Sequence, residues 1–162
     1  EYLEQPVKTI AEIAELKLKL QGSIKIAADE SVRKVSDPLA VAQANAADIL
    51  VLKAAPLGGI TNAIAIAKEA GLPVVVSSAL ETSIGLSMGA YLAAELNSPY
   101  ASGLATAALL AEDVTDKPLM PIDGEIPLAR VMRPTQTGRF QAATKLHERW
   151  LEKLTFVLQN HY

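Results

Sequence analysis

A single polar residue closes each of several short apolar runs, and it recurs at nearly constant spacing. Glu4, Asp29, Lys53 and Ser77 stand at the ends of such runs, separated by 25, 24 and 24 residues. The runs themselves, such as Ile49-Leu50-Val51-Leu52 and Val74-Val75-Val76, are continuous rather than alternating. That pattern belongs to strands covered on both faces, as in a parallel sheet. One interval is the length of a βα unit. In a parallel barrel the C-terminal ends of all strands meet on one face, where such folds assemble their sites, so four sequence-distant polar groups should converge there. Gly103-Leu104-Ala105-Thr106 reads as a further strand end. Five strands fall short of the eight that close a barrel. Because the chain opens inside a strand, the missing strands are expected upstream, in a longer polypeptide.

The segments between the runs carry helix signals. Thr9-Ile10-Ala11-Glu12 is a capping box, with Gly22 suited to end its helix. Asp37-Pro38 supplies an N-cap and a first-turn proline for a helix to about Ala47, and further helices are expected over about 61–71 and 83–96. From Asp113 to Met132 prolines and the turn pair Asp123-Gly124 imply short extended pieces. A long amphipathic helix is expected from Gly138 to about Asn160, with Phe140, Ala143, His147, Trp150, Leu151, Leu154 and Leu158 near one face. Trp150 reads as core and His147 as structural. Residues 1–110 thus form the barrel's βα units, and 111–162 an extension and closing helix of the same domain. The fold class is α/β, the C-terminal part of a TIM-like barrel.

Composition narrows the partners. The net charge is −3 and the basic residues are dispersed, so neither a nucleic-acid nor an anionic-membrane footprint is present. No apolar run has the length of a membrane span, and the first residues lack the pattern of a signal peptide. With no cysteine there is no thiolate metal site or thiol nucleophile, which fits a cytoplasmic protein. Any metal must be held by oxygen or imidazole.

Singly, a carboxylate after a strand is commonly the cap of the next helix, and a lysine there a solvated loop charge. Here Gln5-Pro6 prevents a helix from starting at Glu4, and Lys53 lies between apolar residues on both sides, a poor place for an unpaired ammonium. Two carboxylates on adjacent strands suit a hard divalent ion, and magnesium completes its shell with water and an anionic substrate. The lysine can then face that substrate.

Glu4-Gln5-Pro6, Ala28-Asp29-Glu30-Ser31 and Val51-Leu52-Lys53, in that order and spacing, resemble the ends of the fourth, fifth and sixth barrel strands of the enolase superfamily, muconate-lactonizing subgroup. The segments 53–60, 77–85 and 103–106 are most similar to the o-succinylbenzoate synthase family of that subgroup, in its actinobacterial form. The resemblance covers nearly the whole chain. It implies Glu4 and Asp29 as ligands of magnesium (manganese as the alternative) and Lys53 as the lysine on one face of a small carboxylate substrate. Gly58 and Gly59 read as a helix start or a close approach to substrate, Ser77 and Ser78 as strand-end caps or contacts to the substrate carboxylate. Glu30 is expected to support the site through hydrogen bonds.

The implied reaction is the syn dehydration of a cyclohexadiene carboxylate to an aromatic ring in menaquinone synthesis, with metal-stabilised enediolate chemistry. Lys53 would place its ammonium over the ring plane. Racemases of N-acylamino acids, dipeptide epimerases and muconate cycloisomerases share these ligands and remain alternatives, with a non-catalytic half-barrel needing a partner chain more distant. The complete enzymes also carry a lysine-x-lysine strand, a third carboxylate ligand and an N-terminal capping domain. Lys17-Leu18-Lys19 has the lysine pattern but falls in the first helix. The expected partner is therefore the missing N-terminal part of the same protein, without which the chain should not turn over.

Overall fold

The computed structural model describes residues 1–129, 131 and 137–161. Four parallel strands, β1 (Tyr2–Glu4), β2 (Lys25–Ala28), β3 (Ile49–Leu52) and β4 (Val74–Val76), lie side by side in chain order. Between and after them run α1 (Ile10–Leu20), α2 (Asp37–Gln43), α3 (Ile60–Ala70) and α4 (Ser83–Leu96). This is the α/β architecture expected from the spacing.

Strand parity divides the core in two. Ile26, Ala28, Leu50, Leu52, Val74 and Val76 point toward the helices, where they meet Ile13, Val41, Ile66, Leu86 and Leu92. Ala27, Ile49, Val51 and Val75 point the other way and pack with Tyr2 and Tyr100. Both sets are buried, which is why β3 and β4 are apolar at every position, as is β2 after Lys25. Burying a Leu or Ile side chain contributes roughly 1.5–3 kcal/mol. That advantage on each face holds the register, since a one-residue slip would exchange the two sets.

The capping box forms as expected. Thr9 Oγ1 accepts from the Glu12 amide at 3.2 Å, and Glu12 Oε2 accepts from the Thr9 amide at 2.9 Å. The end of α1 differs: Gln21, not Gly22, is the left-handed C-cap (φ 50°), and Gly22 continues the turn at φ 79°. Ser36 rather than Asp37 is the N-cap of α2, without a side-chain capping bond, while Asp37 is the first helical residue and accepts from the Lys34 amide. That helix stops at Gln43, where the chain turns through Asn45 (φ 47°) into β3.

The fifth strand, expected to end at Gly103-Leu104-Ala105-Thr106, is reduced to one parallel bridge, Ser77 to Gly103. A Cβ on Gly103 would stand 3.0 Å from Ser77 Oγ, so glycine permits the approach, and the chain then coils into a 3-10 turn, Thr106–Leu109. Ile122 and Glu125 pair across an Asp123-Gly124 turn with positive φ at both residues, as the pair of turn formers implied. Met132, the end assigned to this segment, lies outside the described residues.

The last helix, α5 (Thr144–His161), begins later than expected, after a separate 3-10 turn at Thr137–Phe140. Its apolar stripe does not reach the core: Trp150 is 58% exposed, and Leu154 and Leu158 are also exposed. Helical periodicity marks a face and does not say what covers it, which is why the core assignment of Trp150 fails.

Ser83, fully buried at the start of α4, ties the following segment to the barrel units. Its amide and hydroxyl both donate to Asp113 Oδ2, at 2.9 and 2.6 Å, and Oγ accepts from the Leu119 amide at 2.7 Å. Ser83→Ala strands a buried amide and is expected to cost about 1–3 kcal/mol in denaturant unfolding. Asp113→Asn, which keeps an acceptor, should cost less.

Candidate functional site

Register puts the polar strand ends on one face. Glu4 pairs with Ala27, Ala27 with Ile49, and Val51 with Val75, so Glu4 and the residues two beyond Ala27, Val51 and Val75 continue the inner parity. Those residues are Asp29, Lys53 and Ser77. They are staggered rather than level: Glu4 lies opposite Ala27, two residues short of Asp29, whereas Ser77 reaches the bridge to Gly103.

Asp29 immediately precedes the 3-10 turn Glu30–Val32, the position of a cap, yet its side chain makes no capping bond. The carboxylate Oδ1 instead accepts from Lys53 Nζ, an ion pair between groups only 13% and 12% exposed. Removing one member of so enclosed a pair leaves the other charge uncompensated, which is strongly unfavourable. Such a pair restrains both side chains at the sheet end.

The loop behind Asp29 is held by Gln5, a residue the sequence did not single out. Gln5 takes a left-handed conformation (φ 37°) and its amide donates to Ala27 O at 2.8 Å, extending the β1–β2 ladder. Its side-chain oxygen accepts from the amides of Asp29 at 3.0 Å and Ser31 at 3.2 Å. Its side-chain nitrogen donates to Val7 O and Ser31 Oγ. One amide group therefore joins the end of β1 to the turn that presents Asp29. In the sequence, Gln5 is simply the residue before a proline.

Glu4 lies within electrostatic reach of this pair. Burial pushes its carboxyl above the ordinary glutamate range, the Asp29 charge pushes it further, and Lys53 only partly opposes them. Glu30 adds a smaller push in the same direction, although its own side chain turns outward to Arg33 at 3.0 Å. The hydrogen-bonding support expected from Glu30 thus comes, in this structure, from Gln5.

Ser77 is the first residue past β4, and its hydroxyl lies 3.4 Å from Gly103 O. Ser78 is buried, donating to Gly103 O at 3.0 Å with Thr106 Oγ1 2.9 Å away. Thr106 Oγ1 also donates to Ala79 O, so the 77–81 loop is laced to the next strand end. Gly58 and Gly59 form the turn into α3 with φ of 83° and 107°, Gly59 being the N-cap. Lys17, in the rejected Lys17-Leu18-Lys19 pattern, pairs with Asp48 at 3.0 Å in a different contact.

Chemically, the convergent set is carboxylate oxygens and one ammonium. Negative charges outnumber the lysine, and the Asp29 charge adds to burial in raising the Glu4 carboxyl. Hard oxygen donors with an excess of negative charge fit magnesium or manganese, not a soft metal. Among the described residues no group of three or more His, Cys, Asp or Glu could hold a metal. Two carboxylates fit a divalent ion that draws its other ligands from beyond this set.

The model of the enolase C-terminal domain-like family matches residues 1–138, and the chain belongs to that family. It is 55% identical over 132 residues to the o-succinylbenzoate synthase of Thermobifida fusca, covering 81% of this chain and 41% of that protein. With the o-succinylbenzoate synthase of Mycobacterium tuberculosis it shares 46% identity over 156 residues, 95% of this chain and 47% of the relative. The chain spans less than half the length of these curated relatives. Among solved structures it is similar to muconate lactonizing enzyme from Pseudomonas putida, with a TM-score of 0.68 and 26% identity over 83% of this chain and 39% of that one. A mandelate racemase/muconate lactonizing protein from Herpetosiphon aurantiacus gives a TM-score of 0.66 and 30% identity over 80% and 38%. These likenesses agree with the muconate-lactonizing subgroup of the enolase superfamily.

Glu4 supplies a pH test. A carboxyl raised in the folded state binds its proton more tightly there than in the unfolded chain, so its ionisation lowers stability as pH rises above the unfolded value of about 4.3. Glu4→Gln should therefore raise the unfolding midpoint near neutral pH, and the gain should fade toward about pH 4. Thermal melts across that range check it.

Proposed function

We propose that this chain supplies the half of an o-succinylbenzoate synthase active site that binds the metal and one face of the substrate. The carrying observation is the enclosed Asp29–Lys53 pair beside Glu4, in a chain 46–55% identical to o-succinylbenzoate synthases. The substrate is 2-succinyl-6-hydroxy-2,4-cyclohexadiene-1-carboxylate. Loss of the proton α to its carboxylate and of the ring hydroxyl, as water, yields aromatic 2-succinylbenzoate, a step of menaquinone synthesis in the cytoplasm.

Glu4 and Asp29 would hold magnesium. The metal supplies Lewis-acid stabilisation of the substrate carboxylate as its α-carbon becomes negative. Lys53 keeps its proton throughout and offsets the negative charge spreading over the ring, in a site dry enough for that charge to matter. The 77–78 serines and the Gly58-Gly59 turn border the space for the substrate, with Ser77 the more exposed hydroxyl. The proton-abstracting base, a third ligand and the capping domain would come from sequence outside this chain. Among the described residues β1 is an edge strand paired only with β2, which is consistent with that division.

The sister chemistry, muconate cycloisomerisation or racemisation, is favoured by the solved structures the chain resembles. Identity to dehydratases is considerably higher, so dehydration is preferred. With a complete barrel, as a longer polypeptide or reconstituted from two halves, Asp29→Asn should lower dehydration at least about a hundredfold and weaken magnesium. Its unfolding midpoint should fall, because Lys53 loses its ion-pair partner, so turnover is compared at a temperature where the variant is still folded. Undiminished turnover at limiting magnesium would remove Asp29 from the site, and racemisation without dehydration would replace the proposed reaction.

A further inference from the structure

An aspartate at the cap of a helical turn ordinarily folds back to accept from the second or third amide of that turn. Asp29 holds this position ahead of Glu30–Val32 and does not do so; its carboxylate faces Lys53 instead. The amide it would have taken is nevertheless satisfied. The Ser31 N–H, second in the turn, donates to Gln5 Oε1 at 3.2 Å, and the Asp29 N–H donates to the same oxygen at 3.0 Å. The nitrogen of that side-chain amide is committed as well, donating to Val7 O at 2.8 Å and to Ser31 Oγ at 2.9 Å. Gln5 keeps this reach at φ 37°, a left-handed conformation that a residue other than glycine holds only where its surroundings over-determine it.

We propose that Gln5 is a positioning residue: it caps the Glu30–Val32 turn in place of Asp29 and so releases the Asp29 carboxylate to the strand ends. The side chain that faces Lys53 makes no capping bond, so the two tasks draw on different orientations of one carboxylate. An acceptor supplied from the end of β1 removes that competition. Gln5 also follows Glu4 directly, and its backbone amide donates to Ala27 O at 2.8 Å, so one residue ties the Glu4 backbone to the turn that presents Asp29. The capping exchange stands on these hydrogen bonds alone; its consequence for the reaction rests on the metal-binding role proposed above for Asp29.

The test uses the isotopically labelled 162-residue chain without metal, as wild type, Gln5→Met and Gln5→Glu. Gln5→Met keeps the length of the side chain and removes its acceptor. Asp29 should then fold back to cap the turn, so that the nuclear Overhauser contact between its Hβ and the Lys53 Hε protons is lost and one to the Ser31 amide proton appears. The Asp29 amide, which its own carboxylate does not replace as a donor's partner, should exchange with solvent at least about tenfold faster, while the Ser31 amide stays protected. The Ile26 amide, bonded to Asp48 Oδ2, serves as the reference for folding. Gln5→Glu keeps an acceptor at the same reach and should restore the wild-type contacts. Gln5→Asn, too short to reach the Ser31 amide, replaces Gln5→Met if that variant fails to fold. An Asp29 side chain that stays on Lys53 without the Gln5 acceptor, or a Gln5→Glu chain that behaves as Gln5→Met, overturns the proposal. Manganese added to the same chains should bind Gln5→Met at least about tenfold more weakly than wild type. A carboxylate that folds back with no change in manganese affinity, or in a wild type that binds no manganese, would uphold the capping role of Gln5 and remove the metal reading instead.

Discussion

The structure depends on keeping an apolar sheet covered on both faces while charged groups gather at one of its ends. Asp29 and Lys53 meet that constraint through their ion pair, each charge being the other's compensation in a poorly hydrated place. Neither could be retained alone beside Val51 and Val75. Around the pair the remaining polar contacts are restraining ones: Gln5 grips the Asp29 turn, and Ser78 with Thr106 grips the loop beyond β4. Rigidity of this kind is what a metal or a developing anion requires, because donors fixed in advance need not reorganise when charge appears.

Much of the fold was legible because it rests on period and spacing. Continuous apolar runs announced doubly covered parallel strands, and the capping box placed the start of α1 at Thr9. What the sequence could not resolve turned on contacts between distant residues. The fifth strand shrank to one bridge because pairing with β4 depends on Gly103 meeting Ser77 closely, a tertiary fact. Trp150 was assigned to the core from a helical stripe, yet a stripe gives direction without a partner. Gln21 took the left-handed cap that Gly22 suited, a local trade that either residue can satisfy.

The site divides the same way. Glu4, Asp29, Lys53 and Ser77 were visible as polar punctuation of apolar runs, and register puts them at one end of the sheet on one parity. Gln5 was not visible as a site residue, since a side-chain amide that clamps a loop has no periodic signature. Among the described residues no group of three or more His, Cys, Asp or Glu could hold a metal, so the proposed ion would need ligands from elsewhere. This agrees with a chain spanning less than half of the curated relatives it matches.

A metal centre at these strand ends is tested most directly by titrating substoichiometric manganese into the isotopically labelled chain and following amide signals. Paramagnetic broadening should centre on Gln5, Asp29, Ser31 and Lys53, while Lys25, Asp48 and Tyr100 near the opposite end of the sheet stay sharp. Uniform broadening, or broadening centred on exposed acidic residues such as Glu15 and Glu112, would contradict it.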